Sequence, residues 1–378
     1  MGTARRILVL SVSAGAGHMR AAEAIRASAT SLAGVEATHL DVMDYTPAGF
    51  RKLYTDFYLA LVRRHPALWG YLYQATNEAR PDGRMERLRR AVERMNTGAL
   101  RRKIEAFAPD AIVCTHFLPA EILSRLIEKR GLACPVWVQV TDFDLHRMWV
   151  QPGMAGYFAA SAEVAYRMRA QGIAPQAIHL TGIPIMPAFG QALDRAACAR
   201  ELGLDPARPT VLLMGGGAGV GSLDAVAARL LGIDGDFQLI ALAGRNAGAL
   251  ASLRQLAARH PDRLLAHGYT ERVERLMACA DMAVTKPGGL TTAECLAMGL
   301  PMIVNDPIPG QEERNADFLL EEGVALKACD PVTLEFRVRQ LLENPARLAQ
   351  MSDKARALGR PDAARRVLEC VLTKAATA

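Results

Sequence analysis

The chain has 378 residues, beyond the size at which one hydrophobic core usually stops growing, so two domains are expected. A hydrophobic content of 51% with 22% charged residues excludes a disordered chain, and no apolar run reaches the length of a membrane-spanning helix. The net charge of +6 suits a polyanionic surface, while seven cysteines without a CxxC pair or a metal-like grouping with histidine point to a reduced compartment and no metal.

The chain opens with ILVLSV at 7–12, a strand-like run that lacks signal-peptide layout, so a cytoplasmic or peripheral location is expected. A Gly-containing loop, SVSAGAGH at 11–18, follows and leads into a helix from about Arg20. Gly15 and Gly17 stand where the backbone turns and leaves room for a ligand, but Arg20 occupies the third glycine position of a dinucleotide fingerprint. No Gly-Lys-Ser/Thr follows either, so both nicotinamide binding and a Walker loop are disfavoured. His18 falls in the first helical turn, where the helix N-terminus would lower its pKa and keep it neutral. It reads either as a general base or as a histidine that caps the helix or binds phosphate.

The stretch at 49–74 holds seven of the 21 aromatic residues, with Leu53, Phe57, Tyr58, Leu61 and Val62 at helical spacing and Trp69 beyond. From Arg80 to Lys103, nine basic residues, Arg87 and Arg90 among them, face three acids. Together these segments read either as an interfacial membrane contact with anionic lipid or as a core helix with a solvated basic face.

AIVCTH at 111–116, VWVQVTD at 136–142 and GYFAAS at 156–161 continue an alternating strand and helix pattern. Prolines 184, 187, 206 and 209 mark a boundary, after which the pattern restarts with TVLLMGGGAGVGS at 210–222. Strand-like runs recur at QLIALAG (238–244), RLLAHG (263–268), MAVTKPGG (282–289) and PMIVND (301–306). The expected fold class is α/β, with two Rossmann-like domains over 1–183 and 184–349, their strand carboxyl ends facing a cleft. A helix at about 350–378 is expected to pack back on the first domain.

In the second half, Gly215, Gly216 and Gly217 offer small residues able to form an anion nest before a helix. TKPGGLTTAE at 285–294 again joins a strand to a helix and presents the amides of Gly288, Gly289, Leu290 and Thr291 to an anion. Glu294 lies farther along that helix, where a carboxylate can accept from two ribose hydroxyls.

The residues SAGAGHMRAAEAI (13–25), THFLPAE (115–121), VTDFDLHRMW (140–149), TGIP (181–184), KPGGLTTAECLAMGLP (286–301) and PGQEERNA (309–316) resemble the monogalactosyldiacylglycerol synthase and diacylglycerol glucosyltransferase family of the GT-B clan, a likeness covering nearly the whole chain. The resemblance implies inverting transfer of galactose or glucose from a UDP-hexose to diacylglycerol at an anionic membrane, without a metal or other cofactor and without nucleic acid. It also implies site residues. Glu294 would bind ribose, Gly288, Gly289 and Thr291 the diphosphate, Gln311 and Glu312 the sugar hydroxyls, the backbone of Tyr269 the uracil, and Lys286 the phosphate charge. Asp142, His146 and Trp149 match a T-D-x-x-x-H-x-x-W pattern on the acceptor side, which makes Asp142 a rival or helper to His18 as base. THFLPAE departs from the more proline-rich version of plant members, and no transit peptide is seen, as expected of a bacterial-type enzyme. The competing readings are an N-acetylglucosaminyltransferase acting on a polyprenyl-linked peptidoglycan precursor, a UDP-sugar 2-epimerase, and a nucleotide-sugar-binding module without turnover.

Overall fold

The computed structural model describes residues 4–13, 15–46, 70, 97–129, 131–132, 134–215 and 222–375. Phe57, Tyr58, Trp69, Arg87, Arg90, Gly216 and Gly217 lie outside these described residues. The chain divides into two compact units, one of Met1–Pro187, Pro309–Gln311 and Arg360–Ala378, the other of Ala188–Ile308 and Glu312–Gly359.

The first unit is built on a six-stranded sheet of β1 (Arg5–Ser11), β2 (Val35–Asp41), β3 (Ala111–Cys114), β4 (Val136–Gln139), β5 (Gly156–Ala159) and β6 (Ile178–Leu180). Its order is β2-β1-β3-β4-β5-β6, with every pairing parallel. Such a sheet is covered on both faces, which is why Ile7 to Leu10, Ala111 to Cys114 and Val136 to Val138 are continuous apolar runs with no exposed side chain. The chain leaves β1 for β2 on one side and returns to β3 on the other. The carboxyl ends of β1 and β3 therefore flank the point where strand order reverses, the usual place for a ligand in an open α/β sheet.

Helix α1 (Ala16–Ala29) covers one face of this sheet through small residues, Ala21, Ala22, Ala24 and Ala29, together with Ile25. Helices α2 (Thr97–Phe107), α3 (Phe117–Glu128) and α4 (Ala162–Ala170) follow in chain order.

The second sheet contains β7 (Thr210–Met214), β8 (Gln238–Leu242), β9 (Leu264–His267), β10 (Met282–Thr285), β11 (Met302–Asn305) and β12 (Ala325–Ala328). Its order is β12-β11-β10-β7-β8-β9, again wholly parallel. This is the doubly wound Rossmann order, and here the reversal lies between β7 and β10. Helix α5 (Arg195–Glu201) precedes this sheet, α6 (Leu223–Leu231), α7 (Ala247–Ala257), α8 (Val273–Cys279), α9 (Gly289–Ala297) and α10 (Gln311–Glu321) run between its strands, and α11 (Pro331–Leu342) follows β12.

The tail is two helices rather than one, α12 (Pro345–Leu358) and α13 (Ala363–Ala375). The break falls at Gly359-Arg360-Pro361, where the proline cannot continue a helix, and α12 ends against α9 within the second unit, so close that a Cβ on Gly359 would fall 2.6 Å from the Leu296 carbonyl oxygen. Helix α13 buries Ala364, Val367, Leu368 and Val371 in the same core as Ile7, Val9, Ile25, Trp137 and Phe158. Gly182 of the TGIP motif makes room for this return. Its φ is +89°, and a Cβ there would sit 2.6 Å from Cβ of Arg360. Among the described residues no helix is long and apolar enough to cross a membrane.

Candidate active site

The loop after β1 is held from the side by β2. The Ser13 amide donates to Asp41 Oδ1 at 3.2 Å, and Ser11 Oγ lies 2.6 Å from His39 Nε2 and 2.9 Å from Met19 Sδ. His39 in turn approaches Glu23 at 3.7 Å. Serine, histidine and glutamate in that order are the parts of a hydrolase triad, but Ser11 is fully buried and cannot meet a substrate. The cluster braces the loop.

Gly15 is the N-cap of α1, in extended backbone and without a side-chain cap. Its value is space: an added Cβ would touch His18 Cδ2 at 3.4 Å and Nε2 at 3.8 Å. His18 itself is half-buried. Its Nδ1 lies 3.0 Å from the Thr115 carbonyl oxygen and 2.8 Å from Thr141 Oγ1. A carbonyl can only accept, so Nδ1 carries the ring hydrogen and Nε2 is left with the lone pair. Thr115 Oγ1 donates to the His18 carbonyl at 3.0 Å, which ties backbone as well as ring to the end of β3.

Burial pushes the His18 pKa down to about 4, against an opposing pull from the Thr115 carbonyl. The neutrality expected of this ring is therefore present, with burial as its leading cause. At neutral pH the site holds an oriented imidazole with one unprotonated nitrogen on the Gly15 side.

Three further rings gather here. His116 is 4.6 Å from His18 in an edge-to-face contact, Trp149 is 6.1 Å from His18, and Phe117 stands edge-on to Trp149 at 6.0 Å. Trp149 thus reaches His18 as part of a wall with His116 and Phe117, two residues that sequence reasoning did not select. His146 is buried and its Nδ1 accepts from the Met148 amide at 3.2 Å, so this ring caps a short turn over Arg147–Trp149 that carries Trp149 inward. Asp142 is half-buried, and it is its neighbour Thr141 that reaches His18.

In the second unit the loops after β7 and β10 flank the reversal point. Of the first, Gly215 falls within the described residues, directly after β7. Gly288 is the N-cap of α9, again without a side-chain cap, so the amides of Gly289, Leu290 and Thr291 open the helix as free donors for an anion. The Pro287 carbonyl is held by Asn315 Nδ2 at 3.0 Å, and Asn315 is fully buried, which fixes the loop from α10. Glu294 is buried to 8% exposure on α9. Glu312 Oε2 accepts the Ile308 amide at 2.7 Å and Gln311 opens α10. Lys286 Nζ pairs with Asp306 at 2.9 Å.

Tyr269 follows β9 and is half exposed. The Arg245 guanidinium stacks 3.9 Å above its ring, presented from the end of β8 by Gly244 at φ +58°. Arg245 had no signal in the sequence beyond its place after a strand and a glycine.

Residues 18–185 match the family model for monogalactosyldiacylglycerol (MGDG) synthase, and residues 210–367 match that for the glycosyltransferase family 28 C-terminal domain. The chain is 30% identical over 279 residues to a processive diacylglycerol beta-glucosyltransferase of Bacillus pumilus, covering 74% of this chain and 72% of that one. To the chloroplastic monogalactosyldiacylglycerol synthase of Spinacia oleracea it is 30% identical over 384 residues, covering 95% and 70%. The crystal structure of Acinetobacter baumannii MurG superposes with a TM-score of 0.64 at 15% identity, covering 98% and 99%, which supports the GT-B-like fold alone. The chain is thus a glycosyltransferase belonging to the family of monogalactosyldiacylglycerol synthases and diacylglycerol glucosyltransferases.

Proposed function

We propose that this enzyme transfers a hexose, galactose or glucose, from a UDP-sugar to the hydroxyl of diacylglycerol with inversion, giving a β-glycosyl diacylglycerol. The observation that carries the reading is the orientation of His18, whose Nδ1 is committed to Thr115 and Thr141 and whose Nε2 is free to accept a proton. The names of the relatives support the donor and acceptor classes.

In the proposed step the acceptor oxygen attacks the anomeric carbon as its proton passes to Nε2 of His18. The bond from that carbon to the diphosphate oxygen breaks, and UDP leaves with the electron pair. Both acceptors on Nδ1 strengthen as the ring becomes cationic, so they favour the transition state over the ground state. Asp142, one residue beyond Thr141 after β4, acts as helper. The charge that develops on UDP is met by the amides of Gly288, Gly289 and Thr291 and by the dipole of α9, while Glu294 holds the ribose and Lys286 adds a cation. Gly215 and its neighbours 216 and 217 complete the diphosphate loop, Tyr269 contributes its backbone to uracil, and Gln311 and Glu312 bind the sugar.

The reaction so written uses no metal or organic cofactor, and EDTA is expected to leave turnover unchanged. The aromatic and basic segments at 49–74 and 80–103 support peripheral binding to anionic lipid on the cytoplasmic face of a membrane. The test is to incubate the protein with each radiolabelled UDP-hexose and diacylglycerol vesicles and to separate the lipids. A labelled β-hexosyl diacylglycerol from either donor is expected. Free epimerised sugar nucleotide, or no labelled lipid, would overturn the proposal.

A further inference from the structure

His116 has no part in the reaction as written, yet among the described residues it is the buried ring closest to His18. It follows β3, is 3% exposed, and stands edge-to-face with His18 at 4.6 Å between ring centres. Phe117 packs on it at 4.1 Å and Trp149 at 6.2 Å. Its Nδ1 accepts from the Leu118 amide at 3.1 Å and so caps α3. That cap exists only while Nδ1 is unprotonated, because a protonated ring would set one N–H against another. The fold therefore rewards a neutral His116.

From this arrangement we infer that His116 is a positioning residue for His18, fixing the angle of its ring, keeping water from its flank and staying neutral so that the one additional proton the pair can take up goes to His18. The inference rests on the reading of His18 as the base. Two imidazoles this close do not both become cationic in a site of low dielectric, since each charge would oppose the other. The cap decides which ring stays neutral. Burial and His18 hold His116 well below the ordinary histidine range, in keeping with that assignment.

Charged groups on the surrounding elements are mostly accounted for. On α1 Glu23 pairs with Arg26, on α3 Glu121 pairs with Arg125, and after β4 Asp144 pairs with Arg167. His146 commits its Nδ1 to Met148, Arg20 lies two residues beyond His18 on α1, and Asp142 lies one residue beyond Thr141.

The test compares His116→Asn, which keeps a cap acceptor but removes the ring, with His116→Phe, which keeps a ring but removes the acceptor. The readouts are steady-state kinetics with UDP-hexose and diacylglycerol vesicles, UDP affinity by calorimetry, and the NMR titration midpoint of His18, assigned by its loss in His18→Gln. In His116→Asn, kcat is expected to fall by about 10- to 100-fold with UDP affinity unchanged. The His18 midpoint should rise from about 4 toward the ordinary value near 6.5. In His116→Phe the midpoint should stay low. A native midpoint in His116→Asn, or the same raised midpoint in both variants, would overturn the inference. Near-native turnover in His18→Gln would instead remove His18 as base, while the midpoint shift would still report on the ring contact.

Discussion

Thr141→Val isolates the tautomer lock with little change of shape. Thr141 is 4% exposed and its hydroxyl lies 2.8 Å from His18 Nδ1, so valine fills the same space and removes one acceptor. The Thr115 carbonyl remains at 3.0 Å, and the ring hydrogen is not orphaned. In the resting enzyme the lost bond is worth roughly 0.5–1.5 kcal/mol, and against the imidazolium of the transition state about 1.5–3 kcal/mol. The difference, about 1–1.5 kcal/mol, lowers kcat by roughly 5- to 13-fold. His18→Ala, by contrast, removes the base and should lose about 10² to 10⁴. Thr141→Ser restores the hydroxyl and should recover most of the rate. Initial rates with UDP-hexose and diacylglycerol vesicles measure all three, and the ¹⁵N shifts of the labelled histidine report the tautomer directly. A native spectrum with the hydrogen on Nε2 would refute the reasoning, as would native turnover in Thr141→Val.

Gly15→Ala tests the open side of the same ring. The extended backbone accepts alanine and its Cβ makes ordinary contacts of 3.4 and 3.8 Å, so the protein should fold and bind UDP normally while a methyl group beside Nε2 obstructs the acceptor and lowers kcat. Glu294→Ala should raise the Kd for UDP by about 10- to 100-fold through loss of a charged ribose contact, measurable by calorimetry; unchanged affinity would reject the assignment. Stability should fall with acidification. The folded His18 pKa of about 4 lies below its unfolded value near 6.5, so the unfolded chain binds the proton first and stability is lost as pH drops through that window. Between pH 7.5 and 5.0 this residue accounts for about 2 kcal/mol, and denaturant melts of His18→Gln should show a correspondingly smaller pH dependence.

The interior strands were legible because a parallel sheet buried on both faces demands unbroken apolar runs, and ILVLS, AIVC, VWVQ, TVLLM and MAVT supply them. The strands without such a run, β2, β6 and β12, are all at sheet edges. VEATHLD, IHL and ALKA are only partly buried and carry mixed polarity, which leaves no strong period. RLLAHG, also at an edge, was readable because its leucines are adjacent.

The same contrast separates the site residues that sequence could select from those it could not. Glycines before a helix and a histidine in its first turn announce themselves locally, whereas the partners of His18 are 97 and 123 residues away. Strand order closes that distance. In the order β2-β1-β3-β4, the carboxyl ends of β1, β3 and β4 stand side by side, so the Thr115–His116 pair and Thr141, the first polar residues beyond β3 and β4, meet His18 at the end of the loop that follows β1. Once the order is known, the TH after AIVC and the T after VWVQV become the groups that must face the loop after ILVLS, and the acceptors of Nδ1 follow from topology rather than from any local motif.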